Sequence, residues 1–246
     1  MKIKKKYYQY VGLIYWCVLR HKYYIPIFLM MQIVLSIAII YGLSFLTNTI
    51  DFYSKSYLYI GSITINILAV TCVLSPQIVS ESKQNGILEY EKTLPISRIS
   101  ILLSETIIWG LLSIVGTVFC IIIGAFRFQI QVKVTVSGIF TLLFVTLSLV
   151  LFGFAIAYLL QPSLVNIVTQ IIMMGGLFLS PIIYPEERLP QWSIYCYNYL
   201  PFVPINRLIR FHLFQLGEVG LRDYFVVFLW GILSFFSAIL ILVRRK

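Results

Sequence analysis

Charged residues, histidines and nucleotide-binding loops are what this sequence has least of. Only 11% of its 246 residues are Asp, Glu, Lys or Arg, while 60% are hydrophobic, so no segment has the composition of a soluble domain of ordinary size. No Gly-x-x-x-x-Gly-Lys-[Ser/Thr] phosphate loop occurs, and the chain is not expected to hydrolyse ATP itself. Its only histidines, His21 and His212, are separated by five of the apolar stretches described below, so they fall on opposite sides and cannot share a metal. Gly42-Leu43-Ser44 has no histidine within an apolar stretch to activate its serine. Glu186-Glu187 lacks the histidine-bearing helices of an intramembrane metalloprotease, so enzymatic activity is not expected. Cys17, Cys72, Cys120 and Cys196 match neither a disulfide framework nor a metal-site spacing. They read as small apolar side chains.

What is abundant is apolar sequence in long runs. Six stretches, 24–45, 58–78, 99–125, 134–160, 164–184 and 224–243, each reach the length of about 20 residues that a helix needs to cross the hydrocarbon layer. Backbone polar groups inside that layer must be satisfied within their own segment, so these stretches are helices. The expected fold is an all-α integral membrane protein with six transmembrane helices in a single domain over 1–246. A cleaved signal peptide is not expected, because the basic start leads into Tyr7, Tyr8 and Tyr10 without a small-residue cleavage site.

The net charge of +10 does not indicate nucleic acid, because the charges flank the spans. Lys2, Lys4, Lys5, Lys6, Arg20 and Lys22 precede the first span, and Arg244, Arg245 and Lys246 follow the last. Flanking Lys and Arg mark the cytoplasmic side, which predicts a plasma-membrane protein with both termini inside and the loop 80–98 inside. Arg188, Arg207, Arg210 and Arg222 run against the rule in the outside segment. Residues 1–23 read as an interfacial helix, with Lys2, Lys5, Gln9, Gly12, Trp16 and Arg20 at steps of three and four. Residues 185–223 are punctuated by prolines yet rich in aromatics. They read either as re-entrant short helices held at the outer interface or as a loop packed over the helix ends.

Polar residues inside the spans supply the candidate sites. Glu105 is the one ionisable group well inside a span, where an acid at the centre costs about 2.5–3.5 kcal/mol. Lying about two turns past Arg98, it is expected to reach the headgroups or a base, with a transport-coupling carboxylate as the alternative. Gln32 and Ser36, Ser62 and Asn66, and Asn166 and Gln170 are pairs spaced by four, each pair sharing a helix face. Such faces turn toward other helices or a wet cavity. Gly110, Ser113 and Gly116, with Gly153 and Ala157, form stripes suited to close helix packing. The loop 80–98 carries more charge than any other of its length and is expected to hold one or two short helices broken at Gly86 and Pro95.

That loop carries a family resemblance. Glu81, then Gly86-Ile87-Leu88-Glu89, then Leu94-Pro95-Ile96-Ser97-Arg98, placed directly after the second span, resembles the cytoplasmic loop of ABC-2 type permeases, the membrane subunits of bacterial ABC exporters. Leu200-Pro201-Phe202-Val203-Pro204, followed by Arg207 and Arg210, is similar to that family's segment between spans five and six. The resemblance implies that Glu81, Gly86, Glu89, Pro95 and Arg98 belong to a coupling helix docked on a separate ATPase subunit, present in two copies, which holds ATP and Mg. This chain needs no cofactor of its own. The resemblance also implies a second permease, identical or homologous, with spans one and five meeting across the dimer axis. Gln32, Ser36, Asn66, Asn166 and Gln170 would then line the pathway or that interface. Glu105 departs from the family, which often carries Lys or Arg nearby. The implied function is ATP-driven export of an amphipathic substrate, such as an antimicrobial or toxin peptide or a drug. Export of a lipid or lipid-linked glycan is the alternative within the family. An ion-coupled secondary transporter or a non-transporting membrane subunit are the readings from other classes.

Overall fold

The structure, a computed structural model, describes residues 2–45, 52–94, 96–186 and 189–244. Pro95, Glu187, Arg188, Arg245 and Lys246 therefore lie outside the described residues. Within these, ten α-helices and no strands are present: α1 Lys2–His21, α2 Tyr24–Phe45, α3 Phe52–Gln84, α4 Ile87–Thr93, α5 Arg98–Phe128, α6 Val136–Leu159, α7 Pro162–Leu179, α8 Gln191–Tyr199, α9 Phe202–Phe214 and α10 Leu221–Arg244. Six of them (α2, α3, α5, α6, α7 and α10) are long and apolar enough to cross a membrane.

Helix α3 is the axis. Of its apolar window 94% is buried, against 28% for α2 and 17% for α7, so α2 and α7 turn most of their apolar surface outward. The outward stripes are Ile27, Met30, Val34 and Ile37 on α2 and Ile167, Ile171, Met174 and Phe178 on α7, spaced as one helix face requires. Around α3 the core forms two layers. One gathers Ile40, Tyr59, Ile63, Cys120, Leu149, Ile182 and Ile205, and the other Phe28, Val70, Trp109, Val150, Phe154 and Leu242.

The second span does not stop at 78. It continues unbroken to Gln84, because a π-helical turn over Ala69–Leu74 widens the helix just before Pro76. A proline inside an α-helix clashes with the carbonyl four residues back, and the wider turn relieves that clash. Ser75 N–H bonds to the Val70 carbonyl, and Ser75 Oγ donates to the Thr71 carbonyl at 2.9 Å. The same turn is where α6 crosses most closely. A Cβ built on Gly153 would sit 2.0 Å from the Thr71 carbonyl oxygen, so the crossing needs glycine.

Helix α9 is not a loop over the helix ends. Val203, Ile205, Leu208 and Ile209 are fully or nearly fully buried against α3, α6 and α10, while α8 keeps Trp192, Tyr195 and Tyr199 exposed. Two of the arginines that run against the charge rule, Arg207 and Arg210 on α9, are structurally occupied. Arg207 donates to both Glu186 oxygens at 2.9 and 2.6 Å, to Asn198 Oδ1 at 2.8 Å and to Asp223 Oδ1 at 3.2 Å. Burial alone would lower its pKa, and the two carboxylates raise it above the usual arginine value. Arg210 stacks 3.8 Å over the Tyr57 ring. This set of contacts ties α8, α9 and the start of α10 together.

Candidate coupling site

Helix α3 ends where Gly86 adopts φ +72°, a left-handed conformation that glycine enters without penalty. The chain reverses there into α4, whose first turn is closed by Tyr90 N–H donating to the Gly86 carbonyl at 3.0 Å. Helix α4 is two-faced. Leu88 and Glu91, three apart, are buried, whereas Glu89 and Tyr90 are exposed. The hairpin is secured at its edges. Lys83 Nζ donates to the Leu160 carbonyl at 2.9 Å at the end of α6, Tyr24 donates to Glu81 at 3.4 Å, and Arg98 Nη1 donates to the Glu91 carbonyl at 3.4 Å. Ser97 Oγ caps α5 by accepting from Ser100 N–H at 3.1 Å.

The inward face of α4 meets α1. Leu13, Cys17 and His21, four apart, are buried and place α1 on α5. Arg20 then bridges two acids, Nη1 pairing with Glu91 of α4 and Nη2 with Glu105 of α5. The side chains are 13%, 3% and 2% exposed for Arg20, Glu91 and Glu105, so this is an interior ion cluster. Trp109 Nε1 donates to Glu105 Oε2 at 3.2 Å, and His21 Nε2 lies 3.2 Å from the same oxygen. Burial, reinforced by the adjacent Arg20 charge, lowers the His21 pKa to about 4, so its imidazole is neutral at pH 7. Nε2 faces both this Glu105 oxygen and the Arg20 guanidinium, whose Nε and Nη2 lie 3.4 and 3.3 Å away, while Nδ1 is buried without a hydrogen-bond partner. Burial raises the Glu91 pKa against the opposing pull of Arg20 and Trp16, and it pushes the Cys17 thiol up to about 11. Removing one partner of such a buried pair costs about 3–5 kcal/mol. The cluster therefore joins α1, α4 and α5 mechanically. Beside it, Trp16, Leu19, Arg20, Asn85, Gly86, Ile87 and Tyr90 line a cleft of about 490 Å³.

The residues singled out from sequence are distributed differently from expectation. Glu81, Gly86, Glu89 and Arg98 fall on the α3–α4–α5 hairpin, and Pro95 lies outside the described residues. Glu105 finds its base in Arg20. Gln32, Ser36 and Asn66 turn toward one another inside the chain, between α2 and α3. All three are at most 1% exposed and bond to one another, with Asn66 Nδ2 donating to Ser36 Oγ at 2.8 Å and to the Gln32 carbonyl at 3.3 Å. The Gln32 amide lies over Gly116, where a Cβ would come within 2.0 Å of its Nε2. In an apolar medium a polar side chain is costly without a partner, and a neighbouring helix supplies one. Asn166 and Gln170 are exposed on the outer face of α7. Sequence reasoning missed Arg20, His21 and Glu91 as a unit. The signal was Glu105 itself, a buried acid that requires a cation near the same end of its helix.

The match to known proteins agrees with this geometry. The chain belongs to the ABC-2 type transporter family, whose model matches residues 14–214, from within α1 through the α3–α4 hairpin to the end of α9. The chain is thus a multi-pass membrane component of that class of transporter. Comparison with curated proteins gives no match.

Proposed function

We propose that this chain is the permease subunit of an ATP-driven exporter, and that the α3–α4 hairpin with α1 is where a separate ATPase docks. The observation that carries this is the two-faced α4. Its inner face is fixed to α1 and α5 through Arg20, while Glu89, Tyr90 and the adjoining cleft are presented to a partner. On this reading the hairpin, both termini and α1 face the cytoplasm. ATP and Mg belong to the ATPase, which is present in two copies beside two permeases. Movement imposed on α4 passes to α5 through Arg20 and Glu105, and to the far side of the membrane along the uninterrupted α3. The substrate is an amphipathic molecule, a peptide or drug, carried between the two permeases. Support against an ion-coupled transporter comes from where the buried carboxylates lie. Among the described residues these are Glu91, Glu105 and Asp223; each has an arginine partner, and Glu105, the deepest in a span, lies only about two turns from the start of α5.

The test is nucleotide turnover by the co-purified complex in vesicles. Glu89→Arg is expected to abolish turnover stimulated by the permease while the subunit remains in the membrane at normal levels. Unchanged turnover would remove the hairpin as the docking site. Transport by the chain alone, without any ATPase and driven by an ion gradient, would replace the whole reading.

A further inference from the structure

The first turns of α10 and the facing side of α6 enclose an open groove of about 680 Å³, lined by Phe144, Leu221, Arg222, Tyr224, Phe225 and Phe228. Leu221, Phe225 and Phe228 are 89%, 62% and 53% exposed, at the end of a helix apolar enough to cross the bilayer. The level of the bilayer surface is marked by α8, where Trp192, Tyr195 and Tyr199 stand exposed as interfacial aromatics do. The Arg222 guanidinium lies 4.9 Å over the Tyr199 ring, so the cation sits at headgroup depth with the apolar groove running from it into the membrane. Arg207 is balanced by Glu186 and Asp223, but Arg222 has no carboxylate within ion-pair distance among the described residues. Stacking on a ring leaves the N–H edge of a guanidinium available, and that edge matches a phosphate.

We infer that this groove binds one anionic phospholipid, its phosphate on Arg222 and one acyl chain along Phe144, Phe225 and Phe228. The site depends on the membrane fold and not on export, so it stands apart from the docking reading above.

The probe is dioleoyl phosphatidylglycerol against dioleoyl phosphatidylcholine, with retained lipids counted by native mass spectrometry of the full chain. The basic N-terminal segment also attracts anionic lipid, so the readout is the difference between wild type and variant. Arg222→Gln is expected to lose one retained phosphatidylglycerol per chain, its affinity falling about fivefold, the factor one basic residue contributes at an anionic surface. Its phosphatidylcholine retention falls by less, because the choline cation already neutralises that lipid's phosphate. Phe228→Ala, which keeps the cation, lowers retention of both lipids at this site. An Arg222→Gln chain holding as many phosphatidylglycerol molecules as wild type, or a Phe228→Ala chain with full retention of both, would overturn the assignment.

Discussion

At the scale of single residues, Arg20 has the largest share of the candidate site. It satisfies Glu91 and Glu105 together, so Arg20→Met leaves two carboxylates in the interior without a cation. That change is expected to destabilise the protein by about 3–5 kcal/mol, read as a lower midpoint of thermal unfolding in detergent. Adding Glu91→Gln and Glu105→Gln to Arg20→Met should restore part of the loss, because neutral amides are less costly to bury than unpaired charges. No restoration would mean that packing by the arginine stem, rather than charge, sets the effect. His21 adds a pH dependence. Its packed form resists protonation until about pH 4, whereas the released imidazole titrates near 6.5. The contribution is therefore full above pH 6.5 and is lost progressively as pH falls toward 4, on the order of 3 kcal/mol in total. Glu91, with its raised pKa, takes up a proton more readily when packed and works in the opposite sense. His21→Gln is expected to flatten the limb between pH 6.5 and 4 in unfolding midpoints followed by tryptophan fluorescence.

At the scale of elements, the closest helix crossing makes the sharpest prediction. Gly153→Ala places a methyl group against the Thr71 carbonyl of the π-turn and should cost about 1–3 kcal/mol as overpacking. Gly110→Ala, whose Cβ meets only Leu147 Cδ2 at 3.7 Å, should be tolerated, and equal thermal stability of the two variants would contradict the crossing geometry. Elements also divide what the sequence discloses from what it hides. The existence of six apolar helices follows from run length and composition alone. So does the break at Gly86, since a glycine between two polar helical segments has few other uses. The continuation of α3 past Pro76 is different, because it depends on a π-turn whose hydrogen bonds come from Ser75 and whose shape is complementary to Gly153, 77 residues or more away in the chain. A separation of 30 and 34 residues hides the polar triad in the same way. Spacing by four puts Gln32 and Ser36 on one face, but only the approach of α3 determines that this face turns to Asn66 instead of outward. Arg20 reads as a flanking charge until α4 and α5 are known to converge on it.

At the scale of the whole molecule, the uneven burial of the spans points to where a second permease would sit. The outer stripes of α2 and α7 are apolar and unpaired by other described helices, and α7 adds Asn166 and Gln170 to that surface. With exposed Cys196 changed to serine, and Cys17, Cys72 and Cys120 buried, Val34→Cys combined with Ile171→Cys is expected to give an oxidised dimer on denaturing gels. Phe236→Cys, exposed on α10, should remain monomeric. A dimer formed by Phe236→Cys alone would move the interface to the other side of the bundle.

The Arg20 bridge also orders events during synthesis. The ribosome releases α1 well before it makes α5, so the guanidinium already exists when the Glu105 carboxylate emerges. A carboxylate that is costly to place in hydrocarbon alone thus has its counter-ion already made as its helix enters the lipid. A chain carrying the same pair in reverse order would have to hold a naked carboxylate in the translocon until its cation was translated.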